Sequence, residues 1–227
     1  MDQQRILQII LDLGILVFSL SLHEFGHAFM ANRLGDPTAK MLGRLTMDPR
    51  AHADPIGTIL IPLLRFIYPN LLLFGWAKPV PVTPENFQNP KRDGALVALA
   101  GPMANFFLCV VCMALLSLLD LTQFMGLDPG GQQLLLIFFR SFFWLNFALA
   151  VFNLIPLYPL DGSWIMKYIL PGHWSYAYSQ MDRYSGIALL AFFYLGWLNK
   201  IFVPLERGLF MLMGTFGLNR LTAMIFS

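Results

Sequence analysis

Charged side chains are scarce in this chain of 227 residues. Lysine, arginine, aspartate and glutamate make up only 12% of it, whereas 57% is hydrophobic and the mean hydropathy is +0.61. A soluble domain carries about 25% charged residues, so this chain could not cover its surface with polar groups in water. The composition excludes an ordinary soluble protein and predicts a polytopic membrane protein that has lipid as its solvent.

Cysteine and clustered basic charge are also nearly absent. The two cysteines, Cys109 and Cys112, lie in the apolar run LCVVCMAL. A C-x-x-C redox motif needs an exposed thiolate at the start of a helix, so we interpret both as small core residues and expect no disulfide framework. The net charge of +2, without any basic run, gives no sign of nucleic acid as a partner.

Apolar segments separated by turn-rich stretches predict an all-α membrane protein, a bundle of four to six transmembrane segments in one domain over residues 1–227. The clearest segments are 6–34, 95–121 and 132–154. At about 1.5 Å per residue, each is long enough to cross a bilayer. Weaker segments lie at 56–73, at 185–194 and in a last stretch that ends near residue 225.

Two polar stretches after the first span are typical of extended structure rather than helix. Residues 43–47, GRLTM, alternate weakly, as a short strand does. Residues 76–94 contain several prolines, which exclude a helix, and their Val-Pro alternation indicates an extended edge.

The distribution of basic residues predicts the orientation of the bundle. Lysine and arginine recur in residues 33–50, 78–92 and 167–183, whereas the loop at 121–131 has none. By the positive-inside rule the first three regions are cytoplasmic and that loop lies outside. We therefore expect a multi-pass protein of the cell membrane.

The first span contains the motif His23-Glu24-Phe25-Gly26-His27, which is H-E-x-x-H. On a helix the two histidines lie on one face, one turn apart, and can bind one zinc ion. Glu24 projects to the side, where a general base would reach a metal-bound water. The alternative is a hydrogen-bonded polar cluster that joins helices. Ionisable groups in an apolar helix are costly unless they are paired or bind metal, which favours the zinc site.

Zinc needs a third protein ligand, and Asp161 is the acidic residue best placed to provide it. It ends the sequence NLIPLYPLD at the cytoplasmic end of the span 132–154, where Pro156 and Pro159 predict an unwound segment. Gly162 allows a tight turn beside a ligand. The predicted topology brings Asp161 to the depth of the two histidines. The alternative, a helix N-cap, is weaker beside H-E-x-x-H.

H-E-F-G-H in one membrane helix and N-x-x-P-x-x-P-L-D-G in a later one resemble the site-2 protease family of intramembrane zinc metalloproteases (M50-type). The segments GRLTMDPRAHADPIGT, FGWAKPVPV and LVALAGPMANF resemble family segments in order and spacing, so the likeness covers most of the chain. The resemblance implies that His23, His27 and Asp161 bind Zn2+ and that Glu24 is the catalytic base.

The resemblance also implies a small membrane-associated β region, which we map onto Gly43–Pro49 and Pro79–Pro84. We expect a short form without a PDZ or CBS domain. Asn153 matches a family asparagine thought to help hold the substrate or the oxyanion, and a hydrogen bond between helices is an equal alternative. Asn105 is predicted to pack against another helix. For His52, in a polar loop, a solvated or structurally bonded role is favoured over contact with zinc or substrate.

The predicted function is intramembrane proteolysis by a zinc metalloprotease whose active site faces the cytoplasmic side. The expected partners are transmembrane protein substrates and the lipid bilayer, and the sequence does not set an oligomeric state. A rival class is a transporter or ion relay, for which we find no internal repeat of half-helices. A second rival is a non-catalytic membrane scaffold, against which the intact Glu24 argues.

The orientation can be tested by thiol labelling in intact cells and inverted vesicles. In a background without Cys109 and Cys112, a cysteine at position 46 (Thr46→Cys) should react with an impermeant reagent only from the cytoplasm. A cysteine at position 122 (Thr122→Cys) should react only from outside, because its loop has no basic residue. Cytoplasmic labelling at 122 would contradict the predicted orientation.

Overall fold

A computed structural model of the chain describes residues 3–68, 75–121 and 126–226. Helices account for most of these residues. In chain order they are α1 (Gln3–Arg33), α2 (Thr38–Met41), α3 (Pro49–His52), α4 (Ile61–Ile67), α5 (Pro90–Leu121), α6 (Pro129–Asn153), α7 (Asp161–Ile169), α8 (Gly172–Gln180), α9 (Ser185–Tyr194), α10 (Trp197–Thr215) and α11 (Asn219–Phe226). A π-helical turn at Pro55–Leu60 and 3₁₀ turns at Pro84–Asn86 and Met181–Tyr184 complete the set.

Three of these helices, α1, α5 and α6, are long and apolar enough to cross a membrane. A bent pair, Gly172–Tyr194 with Trp197–Thr215 at 61°, adds a fourth candidate span if it crosses as one unit. The predicted helical membrane bundle is thus confirmed, with a span count near the lower end of the expected range. The weak segment at 56–73 forms only the π-helical turn and α4, and its residues 69–73 lie outside the described residues.

The predicted β region is wrong, because no strand occurs in the described ranges. In Gly43–Pro49, Gly43 closes a turn at φ +69°, and the side chain of Asp48 accepts from Arg50 N at the start of α3. In Pro79–Pro84 two backbone N–H groups bind carboxylates and not a neighbouring strand. Val80 N donates to Glu24 and Thr83 N donates to Asp36.

Helix α5 is the centre of the bundle and packs against α1, α6 and α7. Small residues bring these helices close, as is common in membrane proteins. A Cβ atom on Gly26 of α1 would lie 2.8 Å from the carbonyl oxygen of Ala100 in α5. At the α7 contact, a Cβ atom on Gly94 would lie 2.4 Å from the ring of Tyr168. The backbone of α5 therefore runs close to both helices that carry the candidate site.

The α5–α6 interface forms the main apolar core, together with residues of α10 and α11. Cys109 and Cys112 are buried there as free thiols, and their sulfur atoms donate to the carbonyl groups of Phe143 and Phe139. The prediction that both cysteines are core residues is confirmed.

After α6 the chain unwinds at Leu154 and resumes a helix at Asp161, as the two prolines predicted. Asp161 is the first residue of α7, and the N-cap position before it is occupied by Leu160, which makes no side-chain cap hydrogen bond. Gly162 makes the turn possible, because a Cβ atom there would lie 2.3 Å from the Leu154 carbonyl oxygen and 2.5 Å from that of Ile155. The approach of two carbonyl groups at this point fixes where α7 begins.

Gly162→Ala should lower the free energy of unfolding by about 1–3 kcal/mol, because the added methyl group meets backbone atoms that must shift. Gly172→Ala is the matched control, since nothing lies within 4 Å of a Cβ atom there. Unfolding of both purified variants in detergent would be followed by circular dichroism. An equal free energy of unfolding for the two variants would contradict the close approach of backbone atoms at Gly162.

Candidate metal centre

Three side chains from distant parts of the sequence converge inside the bundle. His23 and His27 lie one turn apart on α1, with their Nε2 atoms 3.1 Å from each other. Asp161 at the start of α7 places Oδ2 3.1 Å from Nε2 of His23 and Oδ1 3.3 Å from Nε2 of His27. Both histidines are buried. The predicted residues His23, His27 and Asp161 are thus brought together within 4.8 Å, close enough to hold one metal ion.

The outer nitrogen of each imidazole is already used. Nδ1 of His27 lies 2.7 Å from the carbonyl oxygen of Val97, and Nδ1 of His23 lies 2.6 Å from Oδ1 of Asn105. Both oxygen atoms are acceptors, so each Nδ1 carries the ring proton and donates it. In the neutral form of each ring, Nε2 then keeps a lone pair that points into the cluster.

Two lone pairs and a carboxylate therefore face one another without a donor between them. Oδ2 of Asp161 is buried with no hydrogen-bond partner. A proton on one imidazole could join two of these groups, whereas a metal ion satisfies all three. Two imidazole nitrogens and a carboxylate oxygen are a ligand set that zinc accepts, with a fourth position left open. The residues present fit a zinc ion.

Gly101 of α5 makes room beside the cluster, and sequence reasoning missed it. A Cβ atom there would lie 2.3 Å from Nε2 of His27 and 2.6 Å from Nε2 of His23. Any larger residue would fill the space toward which the lone pairs point. The only signal in the sequence was a glycine within the segment AGP, which is weak because small residues are common in membrane helices.

Glu24 is buried on α1 next to His23, and it is not among the converging groups. Its Oε2 atom accepts a hydrogen bond of 3.0 Å from the backbone N–H of Val80. Val80 belongs to residues 76–87, a segment without α-helix or strand that we call the strap. The strap therefore positions the side chain that the motif predicts as the general base.

Asp36, just after α1, anchors the strap at its far end. Its fully buried carboxylate accepts from the backbone N–H of Thr83 at 2.7 Å, from Nδ2 of Asn86 at 2.7 Å, and from Thr38. Burial raises the pKa of Asp36, but these hydrogen bonds outweigh it and hold the pKa below its usual range. Asp36 is charged at neutral pH and ties the strap to the end of α1.

His52 and Arg44 hold the other end of the strap. Nη2 of Arg44 donates to the carbonyl group of Lys78 at 2.7 Å, and Lys78 N donates to the His52 carbonyl oxygen at 2.9 Å. The His52 ring is buried, with Nε2 2.8 Å from the carbonyl oxygen of Thr46. His52 is therefore structurally bonded rather than solvated, and it lies outside the metal cluster.

Asn153 does not join the cluster in this structure. It is the last residue of α6, and its Nδ2 atom donates to the Leu149 carbonyl oxygen of the same helix at 2.9 Å. That bond is neither a contact with the converging groups nor a bond between helices. Its role in holding a substrate stays a prediction.

Residues 11–127 and 129–194 of the chain match the sequence profile of peptidase family M50. The chain belongs to peptidase family M50. YwhC of Bacillus subtilis, named as a candidate zinc metalloprotease, is 38% identical over 181 residues, which cover 78% of this chain and 77% of YwhC. Rip2 of Mycobacterium tuberculosis, named in the same way, is 33% identical over 197 residues, 86% of this chain and 71% of Rip2.

A zinc metalloprotease of Methanocaldococcus jannaschii, MJ0392, is 29% identical over 165 residues, which cover 72% of this M50 chain and 36% of MJ0392. No solved structure matches the chain significantly. The prediction of an intramembrane zinc metalloprotease is confirmed by the family and by these relatives. The rival interpretations, a transporter and a non-catalytic scaffold, are not favoured.

Removal of any one converging side chain should lower the zinc content of this M50 protease. His23→Ala, His27→Ala and Asp161→Ala each leave two of the three candidate ligands, so the purified variants should hold well under one zinc per chain and lose cleavage. Metal analysis of protein purified without chelator measures this. The control is His173→Ala, which removes an exposed histidine. Stoichiometric zinc in Asp161→Ala would remove Asp161 from the ligand set.

Proposed function

We propose that His23, His27 and Asp161 hold the zinc ion of this protease and that Glu24 is its catalytic base. The observation that carries the proposal is the convergence of three acceptor groups, with ligand atoms within 4.8 Å, beside a buried carboxylate held by the strap. When bound, zinc supplies Lewis-acid chemistry, which lowers the pKa of water toward about 7 and polarises a carbonyl group.

The side chains divide the remaining work. The hydrogen bond from Val80 N fixes Oε2 of Glu24, and the other carboxylate oxygen takes a proton from the attacking water. Glu24 then gives that proton to the leaving amine, so one residue serves first as base and then as acid. The absence of a Cβ atom at Gly101 leaves space beside the cluster for the scissile peptide.

Asn153 is proposed to hold the substrate or the developing oxyanion. Two facts support this. It is the last residue of α6, eight residues before Asp161, and the unwound connection joins the two. One N–H of its side-chain amide donates to Leu149, and an amide nitrogen carries a second N–H that can donate to a substrate oxygen.

The proposed substrates are transmembrane proteins that must unwind near the site, because the carbonyl groups of an intact helix are hydrogen-bonded and shielded. His23 lies ten residues before the end of α1 at Arg33, which is about 15 Å along a helix. The basic residues that follow α1 support a site that opens to the cytoplasm. We also propose that residues 1–227 form a single protease domain.

Glu24→Gln should keep zinc and lose turnover, because an amide cannot accept the proton from water. The test is cleavage of a panel of model transmembrane peptides by purified protein in proteoliposomes, with zinc content measured on the same samples. Glu206→Gln, at an exposed position on α10, is the matched control. A Glu24→Gln variant that cleaves within about tenfold of wild type would require a different base.

A further inference from the structure

The side-chain amides of Asn105 and Asn146 form a hydrogen-bonded chain that runs from the metal cluster across the bundle, which we call the amide chain. Asn105 of α5 and Asn146 of α6 are both wholly buried. Nδ1 of His23 lies 2.6 Å from Oδ1 of Asn105, and Nδ2 of Asn105 donates to Oδ1 of Asn146 at 2.9 Å. Nδ2 of Asn146 donates to the Phe142 carbonyl oxygen at 2.8 Å. The amide chain therefore links a candidate zinc ligand to a backbone carbonyl group of α6.

The backbone carbonyl group of Phe142, at the far end of the amide chain, sets the direction of its hydrogen bonds. A backbone carbonyl oxygen can only accept, so the amide of Asn146 must turn its nitrogen toward Phe142 and its oxygen toward Asn105. Asn105 must then turn its nitrogen toward Asn146 and its oxygen toward His23. The carbonyl oxygen of Ser19, 3.4 Å from Nδ2 of Asn105, favours the same orientation. Each amide has one orientation in which every contact joins a donor to an acceptor.

This direction decides which nitrogen of His23 carries the proton. An oxygen at Nδ1 requires the proton to be there, so Nε2 keeps its lone pair. If Asn105 turned over, its N–H would face Nδ1, the proton would move to Nε2, and His23 could not bind a metal. The Ser19 carbonyl oxygen favours the correct orientation of Asn105 through a bond of 3.4 Å, and Asn146 reinforces that orientation through a shorter bond of 2.9 Å.

We propose that Asn105 and Asn146 are positioning residues that fix the tautomer and ring orientation of His23 for metal binding. The inference rests on the proposed function and adds two residues that touch neither the metal nor the substrate. In the amide chain Asn146 does not bind His23 directly and acts only through the amide of Asn105. Partners of this kind change metal affinity by about 10–100-fold when they are removed.

The competing explanation is that the two amides only join α5 and α6, as buried amides in membrane helices do. The two explanations differ in what they expect at Asn105. Positioning needs an acceptor facing His23, which an aspartate retains. Joining the helices needs a donor facing Asn146, which an aspartate lacks. Asn105→Asp and Asn105→Leu therefore separate the roles.

The experiment compares Asn146→Leu, Asn105→Leu and Asn105→Asp in the full-length chain purified in detergent. Zinc affinity is measured by competition with a chromogenic chelator, and the absorption spectrum of the cobalt-substituted protein reports the ligand geometry. Asn146→Leu and Asn105→Leu should weaken zinc binding about 10–100-fold and alter the cobalt spectrum. Asn105→Asp should stay within about threefold of wild type. Thermal unfolding is followed in parallel.

Cys112→Ala is the matched control, because it removes another side-chain contact between the same two helices, the bond to the Phe139 carbonyl oxygen. Asn146→Ser provides a second route if the leucine variants do not fold. Serine can satisfy its hydroxyl on the carbonyl group four residues back, but it is too short to hold Asn105, so zinc binding should again weaken.

Zinc affinity of Asn146→Leu or Asn146→Ser equal to that of Cys112→Ala would overturn the inference and leave the amides as a helix contact. Equal loss in Asn105→Leu and Asn105→Asp would overturn it as well. In both cases wild-type protein still binds zinc, so the proposed function stands. Wild-type protein that retains no zinc would overturn the proposed function and this inference together.

Discussion

Three acceptor groups that face one another at 3.1–3.3 Å in an apolar bundle repel unless a cation lies among them. This constraint explains most of what surrounds them. The imidazoles need their outer nitrogens bonded, which Val97 and Asn105 provide. The negative charges of Asp161 and Glu24 would together balance a divalent ion, so a site that held one would be close to neutral.

The strap shows the same constraint acting on the backbone. An extended segment beside a membrane bundle exposes N–H groups that must be bonded. In this protein, carboxylates accept them, with Glu24 bound to Val80 and Asp36 bound to Thr83. A strand ladder would compete for the same donors. The strap therefore forms no sheet, and its backbone supports the side chain of the proposed base.

The part of the site that lies within short motifs could be predicted from the sequence, because local spacing determines it. H-E-x-x-H places two histidines on one helix face, and two prolines before Asp161 mark the unwound turn. Gly101, and the link from Asn105 to Asn146, could not be predicted, because they depend on how α5 is rotated against its neighbours. The prediction of a β region was wrong because alternation in the sequence indicates extended backbone but does not identify the partner that accepts its N–H groups.

The separation of the candidate ligands along the chain has a consequence for biogenesis. His23 and His27 belong to the first helix, whereas Asp161 follows α5 and α6 in the order of synthesis. During membrane insertion the nascent chain contains His23, His27 and Glu24 before Asp161 emerges from the ribosome. The cluster can therefore close only after α5 and α6 have been synthesised, so the proposed metal site belongs to the assembled bundle and not to the first helix alone.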